Sequence, residues 1–294
     1  RLLVLEDGER TGDLSAAASD HAVAIEPLTT RRIELSRGPR AFLYGSSVLG
    51  GVINVIRDYV PSRSPDRWGG GLTWQGESGN NGLGSGLALH GPWGPLTWRV
   101  DGSWRRAANT ATPQGRLINT AIRTGNTSAG FSLVRPWGYI GTAAGLYDSE
   151  YGIPPDPDGG HPRGISIGLN RRHAEIRAEI TAPLPPIQSL RLHYTFSRYR
   201  HTETEASGDI GLAFGVLQHN AGATFDLAPP GALGHGVVGL WYEYRNYATA
   251  GLSFTPPASE YAGALFVYQE LPLKNWDFSA ALRLDGRIID PRRR

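Results

Sequence analysis

The sequence predicts a mainly β chain whose larger part is a transmembrane antiparallel β-barrel. Three observations carry this. Long segments alternate apolar and polar residues with period 2, the connections between them alternate between tight and generous, and aromatic residues gather near segment ends. Composition agrees, because 39 of 294 residues are Gly and 21 are Pro, the residues of frequent turns between extended segments. Hydrophobic residues make up 40%, too many for a disordered chain.

Other classes fall away quickly. The net charge of +2 and the absence of a basic block argue against nucleic acid as a partner. No Cys is present, which excludes disulfide frameworks and thiolate metal sites. No apolar run approaches the roughly 18 residues of a spanning helix, so a membrane would be crossed by strands. The GxSxG, HExxH and GxxxxGK patterns are all missing, and no cofactor or enzyme is expected. The chain starts in mid-strand without Met and ends abruptly, so an internal fragment is expected.

Residues 1–60 read as a small globular piece. RLLVLEDGER is a strand broken by the turn dipeptide Asp7-Gly8. AAASDHAVAIEPL is a loop closed by Pro27, and RRIELSR alternates over Ile33 and Leu35 until Gly38-Pro39 stops it. Pro39 suits the start of one short helical turn through Leu43, after which GVINVI makes a buried strand. Residues 61–67 are a proline-rich hinge.

From 68 to 294 nothing reads as helix. In LTWRVDGSWR, Leu96, Trp98, Val100 and Trp104 share one face, opposite Thr97, Arg99, Asp101, Ser103 and Arg105. AEIRAEI, LRLHYTF and WDFSAALRL repeat the rule. About eleven such segments are expected, centred near 73, 87, 100, 131, 143, 173, 195, 216, 240, 265 and 281. Alternation by itself fits a soluble sandwich or propeller equally well. Run length favours the barrel, since alternation often persists for about nine residues or more, the length a tilted strand needs in lipid.

Connections such as HGPWGP, RPWGY, PLPPI, APPGALG and LPLKN are short. Those around 107–125, 149–164, 202–210 and 246–258 are longer and polar, the asymmetry of an outer-membrane barrel. Trp93, Trp137, Tyr139 and Trp276 beside the short turns, and Tyr147, Tyr199, Tyr244 and Tyr247 towards the other ends, are expected to form two interfacial girdles.

RIELSRGPRAFLYGSSVLGGVINVI closely resembles the end of the plug domain in TonB-dependent outer-membrane receptors. The resemblance implies the C-terminal part of a plug in residues 1–60 and the N-terminal half of a 22-stranded barrel in 68–294. It further implies ligand-gated plug movement, outer-membrane lipid around the barrel, and TonB with its inner-membrane energising complex as partner. Arg37 has two readings, an ion-pair partner for lumen carboxylates or a solvated strand end.

DGERTGDLSAAASDHAVAIEPL resembles plugs of the zinc-import branch, whose Asp-His pair would be Asp20-His21 here. SRYRHTETE resembles the strand end that holds a barrel glutamate, which maps best to Glu203, with Glu205 and His201 as close competitors. The resemblance therefore implies zinc, or a similar divalent metal, as transported ligand, bound by Asp20, His21 and Glu203. Asp and His suit such a borderline metal. The same residues also fit blander roles, a turn cap for Asp20 and hydrated loop groups for the rest. A departure is IPPDPDGGHPRG, where His161, Asp156 and Asp158 stand in place of a histidine-rich tract. A siderophore, haem or cobalamin receptor of the same fold remains an alternative, as does a passive porin or adhesion barrel. His173, His193 and His219 are expected as ordinary polar groups facing the lumen or rim.

Overall fold

The computed structural model describes residues 2–15, 21–46, 48, 50–156, 162–228, 233–251 and 256–292. The first part is a four-stranded sheet of β1 (Leu3–Glu6), β2 (Glu9–Arg10), β3 (Arg32–Ser36) and β4 (Val52–Ile56), ordered β2-β1-β4-β3. Asp7 at φ 48° and Gly8 at φ 86° make the tight β1–β2 turn, and Pro39 opens a short 3₁₀ turn over Pro39–Leu43. Leu5, Ala41, Val48 and Val52 form its buried core.

The second part is an eleven-stranded antiparallel meander. It begins with β5 (Gly69–Glu77), β6 (Gly82–Trp93) and β7 (Leu96–Ala107). A small hairpin, β8 (Ala111–Thr112) and β9 (Gly115–Arg116), interrupts it within a connection read from sequence as loop. The wall resumes with β10 (Ile122–Arg135), β11 (Gly138–Ile153), β12 (Ile165–Leu184) and β13 (Ile187–Glu205). It ends with β14 (Ile210–Leu227), β15 (Gly236–Gly251), β16 (Ala258–Leu273) and β17 (Trp276–Pro291). Each of the eleven expected centres falls inside one of these wall strands. Two connections differ from expectation: only residues 206–209 join β13 to β14 and only 252–257 join β15 to β16, so both are short.

The wall is inverted relative to a soluble sheet. On β12, Ile176 and Ile180 point outward at 49% and 36% exposure, whereas Arg171 and Glu175 on the other face are only 5% exposed. On β7, Thr97 and Asp101 are buried while Trp104 is exposed on the opposite face. Apolar outside and polar inside is the arrangement lipid imposes, because hydrocarbon offers no partner to a charge.

The small sheet lies against the polar inner face, and buried charge ties the two together. Arg57, 1% exposed just after β4, places Nη2 2.8 Å from Asp101 Oδ1 of β7. Arg171 of β12 places Nη1 2.6 Å from Glu6 Oε2, and Tyr59 donates its hydroxyl to Glu6 Oε1 at 2.9 Å. Ser128 of β10 completes Asp101 with a 2.6 Å hydrogen bond to Oδ2. Arg57, not Arg37, is thus the pairing arginine. Arg37 is exposed and has no ion pair among the described residues.

Gly130 shows how close the approach is. A Cβ there would collide with the Tyr59 carbonyl oxygen, so the chain leaving the small sheet lies directly on β10. Asp7 fixes that exit, accepting the amides of Arg57 at 2.8 Å and Asp58 at 3.0 Å.

Arg57→Ala should leave the buried Asp101 without its closest cation while Glu6 keeps Arg171, costing about 3 kcal/mol. Hydrogen exchange should then show faster opening of residues 1–60, with the wall strands still protected. Gly130→Val should produce the same local loosening through steric contact rather than charge.

Candidate metal centre

Of the sequence-predicted residues, His21 and Glu203 sit near the end of β13 that carries the longer connections. Side chains two apart on a strand share a face. Tyr199, His201 and Glu203 therefore form one inward row, with Tyr199 fully buried and His201 2% exposed. Between Glu203 and Thr204 the register slips, because Gly211 of β14 is an extra residue between the partners Leu212 and Ile210. Such a bulge bends a strand and re-aims the side chains beside it.

His21 comes from the loop between β2 and β3. Asp13 clamps this loop: its Oδ2 accepts the Ala24 amide at 3.0 Å, and its Oδ1 accepts the Ser15 amide at 3.0 Å. Two wall arginines hold the clamp from outside. Arg245 of β15 donates to the Asp13 carbonyl at 2.8 Å and Arg171 to the Ala24 carbonyl at 3.2 Å. At Gly12, φ is 72° and a Cβ would stand 2.9 Å from Ser197 Oγ, so glycine allows the loop to lie on β13. Beneath it, Leu14 and Ala24 pack with Tyr147, Leu169, Tyr199 and Val216.

The clamp brings His21 to the β13 row. Its ring centroid is 4.8 Å from that of His201, and Phe214 of β14 meets both rings edge-on. One donor atom from each of His21, His201 and Glu203 lies within 4.8 Å of the other two. His201 Nε2 is 3.2 Å from Glu203 Oε1, and its Nδ1 is 3.2 Å from the Tyr199 hydroxyl. A bound metal would take the Nε2 lone pair in place of the Glu203 contact, with Nδ1–H then donated to the Tyr199 hydroxyl. Two imidazoles and one carboxylate suit a borderline divalent metal. Donors around tetrahedral zinc stand roughly 3.3–3.6 Å apart, so the three side chains would close by about 1 Å.

Sequence reasoning thus named two of the three gathered residues and held His201 in reserve. Asp20 lies outside the described residues, as do Asp158 and His161. Glu205 stands one inward step beyond Glu203, where its carboxylate lies beside Gly211. The clamp residue Asp13 was missed, although an Asp seven residues before the Asp-His pair was its available signal.

Below the centre, a cavity of about 370 Å³ separates the small sheet from the wall, lined among others by Glu9, Arg177, His193 and Trp241. Two carboxylates of the small sheet behave oppositely here. Burial pushes Glu6 up, but the neighbouring Arg171 and Arg57 outweigh it and hold Glu6 at about 2. Burial pushes Glu9 up to about 8, with Arg177 offsetting only part of the effect, and His193 Nε2 lies 3.0 Å from its Oε1.

No protein-family model matches the chain. Over 161 residues it is 33% identical to the vitamin B12 transporter BtuB of Photobacterium profundum, an alignment covering 52% of this chain and 26% of that protein. The siderophore receptor PirA from Pseudomonas aeruginosa superposes with a TM-score of 0.70 at 21% identity, covering 99% of this chain and 50% of that one. The FrpB iron transporter from Neisseria meningitidis gives 0.77 at 10% identity, with 98% and 51% covered. The copper transporter OprC gives 0.77 at 14% identity, with 99% and 49% covered. The chain therefore spans about half the length of the solved structures it matches. At these identities the likeness concerns the fold.

His201→Ala should weaken zinc binding to the purified full-length protein by roughly tenfold or more, read by calorimetry, while Glu205→Ala should change it far less. Because Glu6 is held below its ordinary 4.5, its contribution is complete above about pH 4.5 and fades as pH falls through about 2. Lowering the pH from 6 to 3 should thus cost about 2 kcal/mol of attachment of the small sheet, and Glu6→Gln should remove that slope in thermal unfolding.

Proposed function

The chain has the plug-and-barrel fold of TonB-dependent outer-membrane receptors, and on that premise we propose that it takes part in energised import of a scarce nutrient. In this reading residues 1–60 are the C-terminal part of the plug, 61–67 its hinge and 68–294 half of the barrel. Further strands pair the open edges at β5 and β17, since hydrocarbon leaves an unpaired edge unsatisfied. TonB and its inner-membrane complex supply the energy.

We propose zinc, or a similar divalent metal, as the cargo. The observation that carries this is the meeting of His21, His201 and Glu203 at the end of the bore nearer the longer connections. One ligand comes from the plug loop and two from the wall, so the metal bridges the parts that must separate for passage. Capture of the metal would then be reported directly to the plug through the Asp13 clamp. Asp20, adjacent to His21, is a further ligand in this proposal.

Cobalamin import is the second reading, favoured by the 33% identity to a vitamin B12 transporter over half the chain. A corrinoid needs a broad apolar and polar platform rather than a compact donor set, so the two readings separate by mutation.

Cells expressing the full-length protein under zinc limitation should accumulate labelled zinc in a TonB-dependent manner, and His21→Ala with His201→Ala should abolish the uptake. Labelled cobalamin uptake that survives both substitutions, with no zinc uptake, would establish the second reading instead.

A further inference from the structure

The outer face of β12 and β13 changes character at one rung of the ladder. Outward residues on β12 run Ile180, Ala178, Ile176, Ala174, and those on β13 run Leu190, Leu192, Tyr194, Phe196. At the Ala174–Phe196 pair the apolar run stops. The next outward pair is Arg172 opposite Arg198, followed by Asn170 opposite Arg200. The change falls about ten residues from the Leu184 end, the length a tilted strand spends in hydrocarbon.

Aromatic side chains mark the same level. Phe196 packs against His219 of β14 with centroids 5.3 Å apart, His219 meets Tyr244 at 5.9 Å, and Tyr244 meets Tyr261 at 5.1 Å. Rings in such a row gather where hydrocarbon gives way to headgroups.

Arg172, Arg198 and Arg200 are exposed, and none has an ion pair or hydrogen bond among the described residues. Directly opposed like charges destabilise a sheet. The nearest outward carboxylate, Asp148 of β11, already accepts from Asn170. A second outward pair, Arg106 and Arg123, differs in having Glu150 across the ladder from Arg123.

We propose that Arg172, Arg198 and Arg200 form an outward-facing site for the phosphate groups of an outer-leaflet lipid. Guanidinium forks match phosphate oxygens in pairs, and one phosphate between Arg172 and Arg198 would turn their repulsion into two charge-assisted contacts. The aromatic row would lie along the acyl chains just below. The site rests on the outer-membrane fold and is independent of the cargo.

The test uses the full-length protein in mild detergent, offered phosphorylated lipid A or the same lipid stripped of its phosphates, with retained lipid counted by native mass spectrometry. Wild type should retain the phosphorylated form about tenfold better, and R172Q/R198Q/R200Q should lose that preference. Equal retention of the two lipids by wild type overturns the proposal, which keeps it decidable even if the triple variant fails to fold. A folded triple variant that retains the preference overturns it too. Displacement of the lipid by inorganic phosphate at matched concentration would show a free-anion site and overturn the lipid assignment.

Discussion

Charge enclosed between a small sheet and the inner wall of a barrel must be neutralised in place, and that requirement shapes this molecule. Arg57 with Asp101, and Arg171 with Glu6, satisfy it across the boundary between the two parts. The pairs are polar and water-compatible, so the plug is seated by contacts that can be exchanged for solvent. An apolar seat of equal area would resist such release. The outer face obeys the opposite rule, because every outward group over the spanning length must tolerate hydrocarbon.

The candidate metal centre follows from the same seating. Arg171 belongs both to the Glu6 pair and, through the Ala24 carbonyl, to the loop that Asp13 clamps by the Ala24 amide. The position of His21 is therefore tied to the charge pairs that hold the plug. Under the proposed function, a metal that drew His21 towards His201 and Glu203 would act on the clamp, and through Arg171 on the seat. The loop that carries His21 and the attachment of the small sheet thus share the side chain of Arg171.

Much of this was legible in the sequence, for a specific reason. Period-2 alternation is local, so Leu96 to Arg105 and Ala174 to Ile180 reveal their strands without any knowledge of neighbours. Direction is less legible. Tyr139, Tyr147, Tyr199 and Tyr247, expected as girdle residues, turn inward: Tyr139 packs on Tyr59 and Val60, and the other three join the packing around Leu14 and Ala24. Aromatic type near a strand end does not say which face is wet. His219 errs the other way, standing on the outer face among Phe196 and Tyr244 rather than lining the lumen or rim. The plug's partners were hidden because they are non-local, Arg171 lying 165 residues from Glu6. Choosing among His201, Glu203 and Glu205 required the bulge at Gly211, which alternation alone does not disclose.

A lipid-clad wall enclosing the first sixty residues underlies every functional conclusion drawn from this molecule. A cysteine scan of residues 174 to 180 in the full-length protein, with any cysteines outside this chain first replaced, would probe it, since this chain itself contributes none. Each site would carry a spin label, read against oxygen and a water-soluble relaxant in bilayers. Oxygen contact is expected at 174, 176, 178 and 180, with the buried position 175 shielded from both agents beneath the plug. Water-soluble relaxation at the even positions, or free access to 175, would contradict a plugged, lipid-facing barrel.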